Sequence, residues 1–169
     1  QLDQTTALLV LGGATDEHPF TYTDFEKIIS NFILFCRNNQ LKGLITNSRR
    51  TPNLSAFLNK TDIPKNIQLH FIDTEKALSL IQLIQQATYI FVTEDSTSML
   101  AETIQSGRFV SSIYGPKSIL EPLNEKYLQA QLMQRQMLED IFQYPNVRNT
   151  QDLNSSSPIT QAFKRNLGY

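Results

Sequence analysis

Tryptophan is absent from this chain, and Cys36 is its one cysteine in 169 residues. A single thiol excludes an internal disulfide framework and any cysteine-rich metal site. Cys36 falls within an amphipathic helical pattern and reads as a buried core thiol. Neither sign of charge is in excess: 15 Lys and Arg stand against 16 Asp and Glu, a net charge of −1. That balance removes any global attraction to nucleic acid or anionic membrane. No apolar run approaches the roughly 20 residues that span a bilayer. The N-terminus lacks a basic region followed by a long apolar one, so no signal peptide is expected. Glycine is scarce, with 6 residues, and neither a Gly-x-Gly-x-x-Gly fingerprint nor a P-loop occurs. There is no Gly-x-Ser-x-Gly elbow and no Ser/His/Asp constellation. Asp16-Glu17-His18 has no second cluster at ligand spacing, so it reads as a solvated loop and no metal site is expected. The resulting expectation is a cytoplasmic domain, with at most a peripheral association at a membrane.

What is present is strong alternation of strand and helix patterns. Hydrophobic residues make up 40% of the chain, enough for one domain with a real core. Ala7 to Leu11 is a continuous apolar run ending at Gly12-Gly13, the signature of a buried parallel strand. Phe25, Ile28, Ile29, Phe32, Ile33 and Cys36 recur at helical spacing behind Thr23 or Asp24 as cap. Further strands are expected at Gly43–Thr46, Ile67–Ile72, Thr88–Val92 and Phe109–Ile113. Helices are expected after Pro52, over Ala77–Ala87 and over Ser96–Ser106. Strands alternating with helices specify an α/β fold with a Rossmann-like parallel sheet of about five strands. Right-handed crossovers give the order 3-2-1-4-5 by position in sequence. After Pro116 the pattern is helical only, through Leu123–Phe142 and Pro158–Leu167, a helical C-terminal extension. The chain begins almost directly on a core strand, which suggests an excised piece of a longer protein.

Three segments fall at the edge of the sheet where ligands of such folds bind. Gly12-Gly13 lets the backbone pass close to a ligand or to a neighbouring loop. Thr46-Asn47-Ser48-Arg49-Arg50-Thr51-Pro52 sets two arginines, planar phosphate readers, after the second strand. The alternative there is a solvated surface turn. In Thr93-Glu94-Asp95-Ser96-Thr97-Ser98, Asp95 can cap a helix whose free N–H groups and positive dipole end attract an anion. At about 100° per residue Asp95, Ser98 and Glu102 share one arc, while Leu100, Thr103 and Ile104 face the sheet. Glu102 can then accept two ribose hydroxyls while the amides hold a diphosphate; otherwise it is an exposed helix Glu behind an ordinary cap. Candidate ligand contacts are therefore Gly12, Gly13, Ser48, Arg49, Arg50, Asp95, Ser96, Thr97, Ser98 and Glu102. Lys117 and His70 read as a surface lysine and a structural histidine.

The Ser48-Arg49-Arg50-Thr51-Pro52 block, followed by Asp95-Ser96-Thr97-Ser98-Met99 and Glu102, resembles the ELM-type mitochondrial-fission protein family, which has many bacterial members. The resemblance extends from Gly12-Gly13 to the terminal Leu167-Gly168-Tyr169. Departures are Gly107-Arg108-Phe109-Val110, where Gly-Lys-Pro-Val is frequent, and Thr103, where alanine is usual. The family is in turn similar to the C-terminal domain of GT-B glycosyltransferases. In those enzymes a glycine turn and a helix N-terminus hold a nucleotide-sugar diphosphate, and a helix glutamate at the position of Glu102 holds the ribose. The resemblance implies residues 1–169 as a single Rossmann-like domain, the C-terminal half of a two-domain protein whose N-terminal half carries the acceptor site. It implies a nucleotide-sugar ligand, no other cofactor, and no turnover without that partner domain. A non-enzymatic protein-interaction module on the same frame is the competing expectation. A dinucleotide-dependent oxidoreductase is disfavoured by the missing third glycine and by Asn47 and Ser48 where an acidic residue belongs.

Overall fold

The computed structural model describes residues 4–13, 20–93, 99, 102, 103, 105–114 and 146–149. Among them, β1 (Thr6–Val10), β2 (Lys42–Thr46), β3 (Ile67–His70), β4 (Tyr89–Thr93), β5 (Phe109–Tyr114) and β6 (Asn146–Asn149) form one sheet, ordered β3-β2-β1-β4-β5-β6. The five strands from β1 to β5 are all parallel, in the order expected. β6 adds an antiparallel edge against β5. It corrects the expectation of helix alone after Pro116. Asn-Val-Arg-Asn is short and carries one apolar residue, so it shows no strand periodicity, and pairing with β5 decides its conformation.

The connections follow from crossover handedness. α1 (Tyr22–Asn38) carries the chain from β1 to β2, and α3 (Leu80–Gln86) carries it back across the sheet from β3 to β4. Right-handed crossovers running in opposite directions place their helices on opposite faces. The pleat then divides the strand side chains between two cores. Leu9, Ile45 and Phe91 pack with Phe25, Ile28 and Phe32 of α1. Leu8, Val10, Leu44, Ile90 and Val92 pack with Leu83 and Ile84 of α3. Burial on both faces is why the strands read as unbroken apolar runs. Phe91 takes the ring edges of Phe32 and Phe35 at centroid separations of 6.0 and 5.0 Å, a favoured T-shaped geometry.

Helix ends differ from the expected ones for local reasons. α1 is capped by Thr21, not by Thr23 or Asp24: the Thr21 hydroxyl accepts from the Asp24 N–H, and the Asp24 carboxylate accepts from the Thr21 N–H. This reciprocal capping box outcompetes the later residues because it satisfies two free donors together. Ser79 and Gln82 repeat the arrangement, so α3 starts three residues later than its apolar pattern suggested. Beyond Pro52 only a single turn forms, α2 (Ser55–Leu58). The Asn53 side chain accepts the Ser55 N–H, and the Thr61 hydroxyl takes the Phe57 carbonyl oxygen, closing the turn at both ends. Gly43 lies where α1 presses closest on the sheet: a Cβ there would overlap Ile67 Cδ1 and crowd Cys36 Sγ and Phe32 Cε1. Cys36 is fully buried, and burial pushes its thiol up to about 12. Among the described residues no helix is long and apolar enough to cross a membrane.

Phe32 has no solvent exposure and touches both Gly43 and Phe91. Phe32→Ala is expected to lower the free energy of unfolding by about 3–5 kcal/mol. Urea denaturation followed by circular dichroism measures it, and a loss under about 1 kcal/mol would show that the α1 face is not the main core.

Candidate functional site

The strands end level with one another. Val10 is in register with Thr46 on one side and Val92 on the other, so the exits of β1, β2 and β4 emerge together at the C-terminal edge. β1 is also where the topology reverses, since the chain proceeds from it to β2 and β3 on one side and reaches β4 and β5 on the other. Crevices at such a point are the usual ligand sites of open α/β sheets. Here the reversal is bridged by a hydrogen bond: the Gly12 N–H donates to Thr93 Oγ1 at 2.7 Å, and Thr93 is fully buried.

On the other flank, β1 is tied to the segment after β2. Ser48 to Thr51 form a turn closed by the Thr51 N–H on the Ser48 carbonyl at 3.2 Å, with Arg49 and Arg50 at its two central positions. Thr51 Oγ1 accepts from the Ser48 N–H at 2.9 Å and lies 3.2 Å from Ser48 Oγ. It lies within donating distance of the carbonyl oxygens of Gly12 and Leu11, Gly12 being the closer. A hydroxyl has one proton to give and two lone pairs to fill. With its proton on Gly12 O, Thr51 accepts from both the Ser48 amide and the Ser48 hydroxyl, which uses all its capacity. Ser48 Oγ in turn accepts from the Arg50 N–H at 3.3 Å. A Cβ on Gly13 would overlap the Arg50 Cβ and main-chain carbonyl. Of the two close approaches open to Gly13, to a ligand or to a neighbouring loop, the loop of Arg50 occupies this one.

Arg49 and Arg50 are both exposed, and neither guanidinium makes a hydrogen bond or ion pair among the described residues. Next to Arg49 lies a cleft of about 230 Å³ between the segments that follow β2 and β3. Asn47, Ser48, Asn53, Phe71 and Asp73 contribute to its lining. The Asn47 side-chain carbonyl accepts the Ile72 N–H at 2.9 Å, and Thr46 Oγ1 donates to the His70 carbonyl at 2.9 Å. These bonds couple the two walls.

The structure therefore brings Gly12, Gly13, Ser48, Arg49 and Arg50 together at one edge. Gly12 has both its amide and its carbonyl occupied by Thr93 and Thr51. Asp95, Ser96, Thr97 and Ser98 lie outside the described residues, as do His18 and Lys117. Met99, Glu102, Thr103 and Gln105 are helical, with Glu102 exposed and Thr103 fully buried, the facing expected from the periodicity. Thr51, Thr93 and the Phe71–Asp73 wall were not singled out from sequence. Thr51 follows Arg50 in the turn after β2 and Thr93 ends β4, but only their bonding partners, Gly12 and Ser48 among them, mark them out.

A Rossmann-like sheet with an arginine turn at the C-terminal edge of its parallel strands defines the general class. The profile of the family described as Mitochondrial fission ELM1 matches residues 1–162. The chain belongs to that family. Comparison with curated proteins and with solved structures gave no match.

His70 is the last residue of β3, next in sequence to Phe71 of the cleft wall. Its Nδ1 accepts the Leu78 N–H at 3.3 Å, so the proton lies on Nε2, which is buried and has no partner among the described residues. Burial, and then the positive charge of Lys42, lower its pKa below the ordinary 6.5. The unfolded chain consequently binds this proton at a higher pH than the native one, and stability rises with pH across that interval. Urea midpoints should fall as pH is lowered from about 7.5 to about 5.5, and more steeply in the wild type than in His70→Gln. Parallel profiles for the two proteins would show that His70 is not the group responsible.

Proposed function

We propose that this chain is the nucleotide-diphosphate-sugar-binding domain of a GT-B-like protein. The observation that carries the reading is the Arg49-Arg50 turn. Two exposed cations are carried on a turn whose Ser48, Arg50 and Thr51 amides are hydrogen-bonded, beside the point where the sheet reverses. Arginine meets phosphate oxygens in bidentate fashion and does not lose its charge. The adjoining cleft, with an apolar wall from Phe71 and polar groups from Asn47, Asn53 and Asp73, suits a planar nucleobase. In this reading Asp95 to Ser98 present amides to the diphosphate, and Glu102, exposed on its helix, accepts ribose hydroxyls. Gly12 and Gly13 act as scaffold for the arginine turn. Charge balance at a departing diphosphate is the contribution such a site makes to glycosyl transfer. Turnover requires a second, N-terminal domain to orient an acceptor.

One observation favours a second reading, a protein-interaction module on the same frame. Gly12's polar groups are both taken by the protein and Gly13 is covered by Arg50. The first-strand glycine turn thus offers little to a diphosphate, and the arginines remain free for an acidic partner.

Thermal unfolding with UDP, UDP-N-acetylglucosamine, a GDP-sugar and NAD separates the two. A nucleotide present at 100 times its dissociation constant adds about 2.7 kcal/mol of stability. UDP or a nucleotide-sugar is expected to raise the melting temperature, and Arg49→Ala and Glu102→Ala each to reduce the rise sharply. If no nucleotide moves it, the first reading falls and the second remains.

A further inference from the structure

The structure assigns Thr51 as the positioning residue of the arginine turn: we infer that its hydroxyl, locked to the exit of β1, fixes Arg49 and Arg50 in the conformation that meets a phosphate. The inference rests on the nucleotide reading for its ligand and on geometry alone for its positioning role.

Arg49 and Arg50 lie at the centre of a turn, and nothing among the described residues holds their guanidinium groups. Their direction is therefore set by the backbone that carries them. That backbone is anchored at one hydroxyl. Thr51 Oγ1 fixes the start of the turn through the Ser48 amide and hydroxyl, and fixes the whole turn to β1 through the Gly12 carbonyl. The Ser48 hydroxyl passes the same constraint to the Arg50 amide. Gly13 lets the Arg50 backbone seat against β1, where any side chain would force it away. Without the Thr51 hydroxyl, the Gly12 carbonyl and the Ser48 amide both lose their partner, and a polar group removed from water and left unpaired disfavours the turn's present conformation. The turn is then free to leave β1, and a flexible arginine pair must be ordered again when an anion binds. Valine is the probe because it keeps the branched shape and deletes the hydroxyl; serine keeps the hydroxyl and deletes the methyl.

The test compares wild type, Thr51→Val and Thr51→Ser by calorimetric titration with UDP and by amide hydrogen exchange. Both substitutions are also made in an Arg49→Ala/Arg50→Ala background. Thr51→Ser should bind UDP within about twofold of wild type, and Thr51→Val about tenfold more weakly. In the arginine-less background the valine substitution should add less than about twofold, because the hydroxyl acts through the arginines. Exchange at the Arg50 and Thr51 amides should quicken in Thr51→Val and stay slow in Thr51→Ser. An equal loss in both backgrounds, or unchanged UDP affinity with unchanged exchange in Thr51→Val, overturns the assignment. If the wild type binds no UDP, the nucleotide reading fails, and the exchange comparison alone decides whether Thr51 positions the turn. If Thr51→Val does not fold, Ser48→Ala replaces it, since it removes one donor to Thr51 Oγ1 and the acceptor of the Arg50 amide; the same results, smaller in size, then support or overturn the assignment.

Discussion

A chain of hydrogen bonds runs across the C-terminal edge of the sheet, from the Thr51 hydroxyl to the Gly12 carbonyl and from the Gly12 amide to the Thr93 hydroxyl. It joins the exits of β2, β1 and β4 at the place where the topology reverses. Strand exits carry peptide groups that have just left the sheet ladder, and buried ones need new partners. Here side-chain hydroxyls supply them. The consequence is a fixed floor beneath a pair of arginines, which the sheet alone would leave on a mobile connection. Function and fold meet in that arrangement, because the groups that satisfy the backbone also decide which cations face outward.

The floor is rigid because the layers beneath it are packed on both faces. α1 lies against one side of the sheet and α3 against the other, and the central strands β1 and β4 have almost no exposed residue between Thr6 and Thr93 apart from Tyr89. Close packing of this kind has low compressibility and resists local displacement. The cleft beside Arg49 is different in character. Its walls come from the segments after β2 and β3, joined by the Asn47 to Ile72 bond and by that of Thr46 to His70. β3 is one edge of the sheet, and of the residues that follow it Phe71 is half-buried while Ile72 and Asp73 are exposed. In the proposed reading, the less buried cleft wall thus lies next to the hydrogen-bonded arginine turn.

Much of this was legible in the sequence, for reasons that can be stated residue by residue. The apolar runs Ala7–Leu11 and Tyr89–Val92 can be only interior strands, and Phe25 to Cys36 repeats at helical spacing, so strand order followed from handedness. The two arginines and Gly12-Gly13 were visible as types and fell at the edge their strands imply. What escaped notice depended on contacts distant in sequence. The occupant of the space beside Gly13 is Arg50, 37 positions away by subtraction of their numbers, and no local pattern distinguishes that neighbour from a ligand. Thr51 and Thr93 look like ordinary strand-exit threonines until their partners are known. The capping of α1 by Thr21 was missed because Thr23 and Asp24 are equally good caps by type, and the reciprocal bond decides between them. β6 carries almost no strand signal of its own and takes its conformation from β5.

The chain belongs to the Mitochondrial fission ELM1 family, while the proposed ligand of its arginine turn rests on the chemistry of the turn itself. The most direct measurement is a map of amide chemical-shift changes as UDP is titrated into the nitrogen-15-labelled protein. Changes concentrated at Gly12, Gly13, Ser48 to Thr51 and Phe71 to Asp73 are the predicted result. Changes confined to the opposite edge of the sheet, around Thr6, Lys42 and Tyr89, or no changes at all, would contradict the assignment of this edge as an anion site.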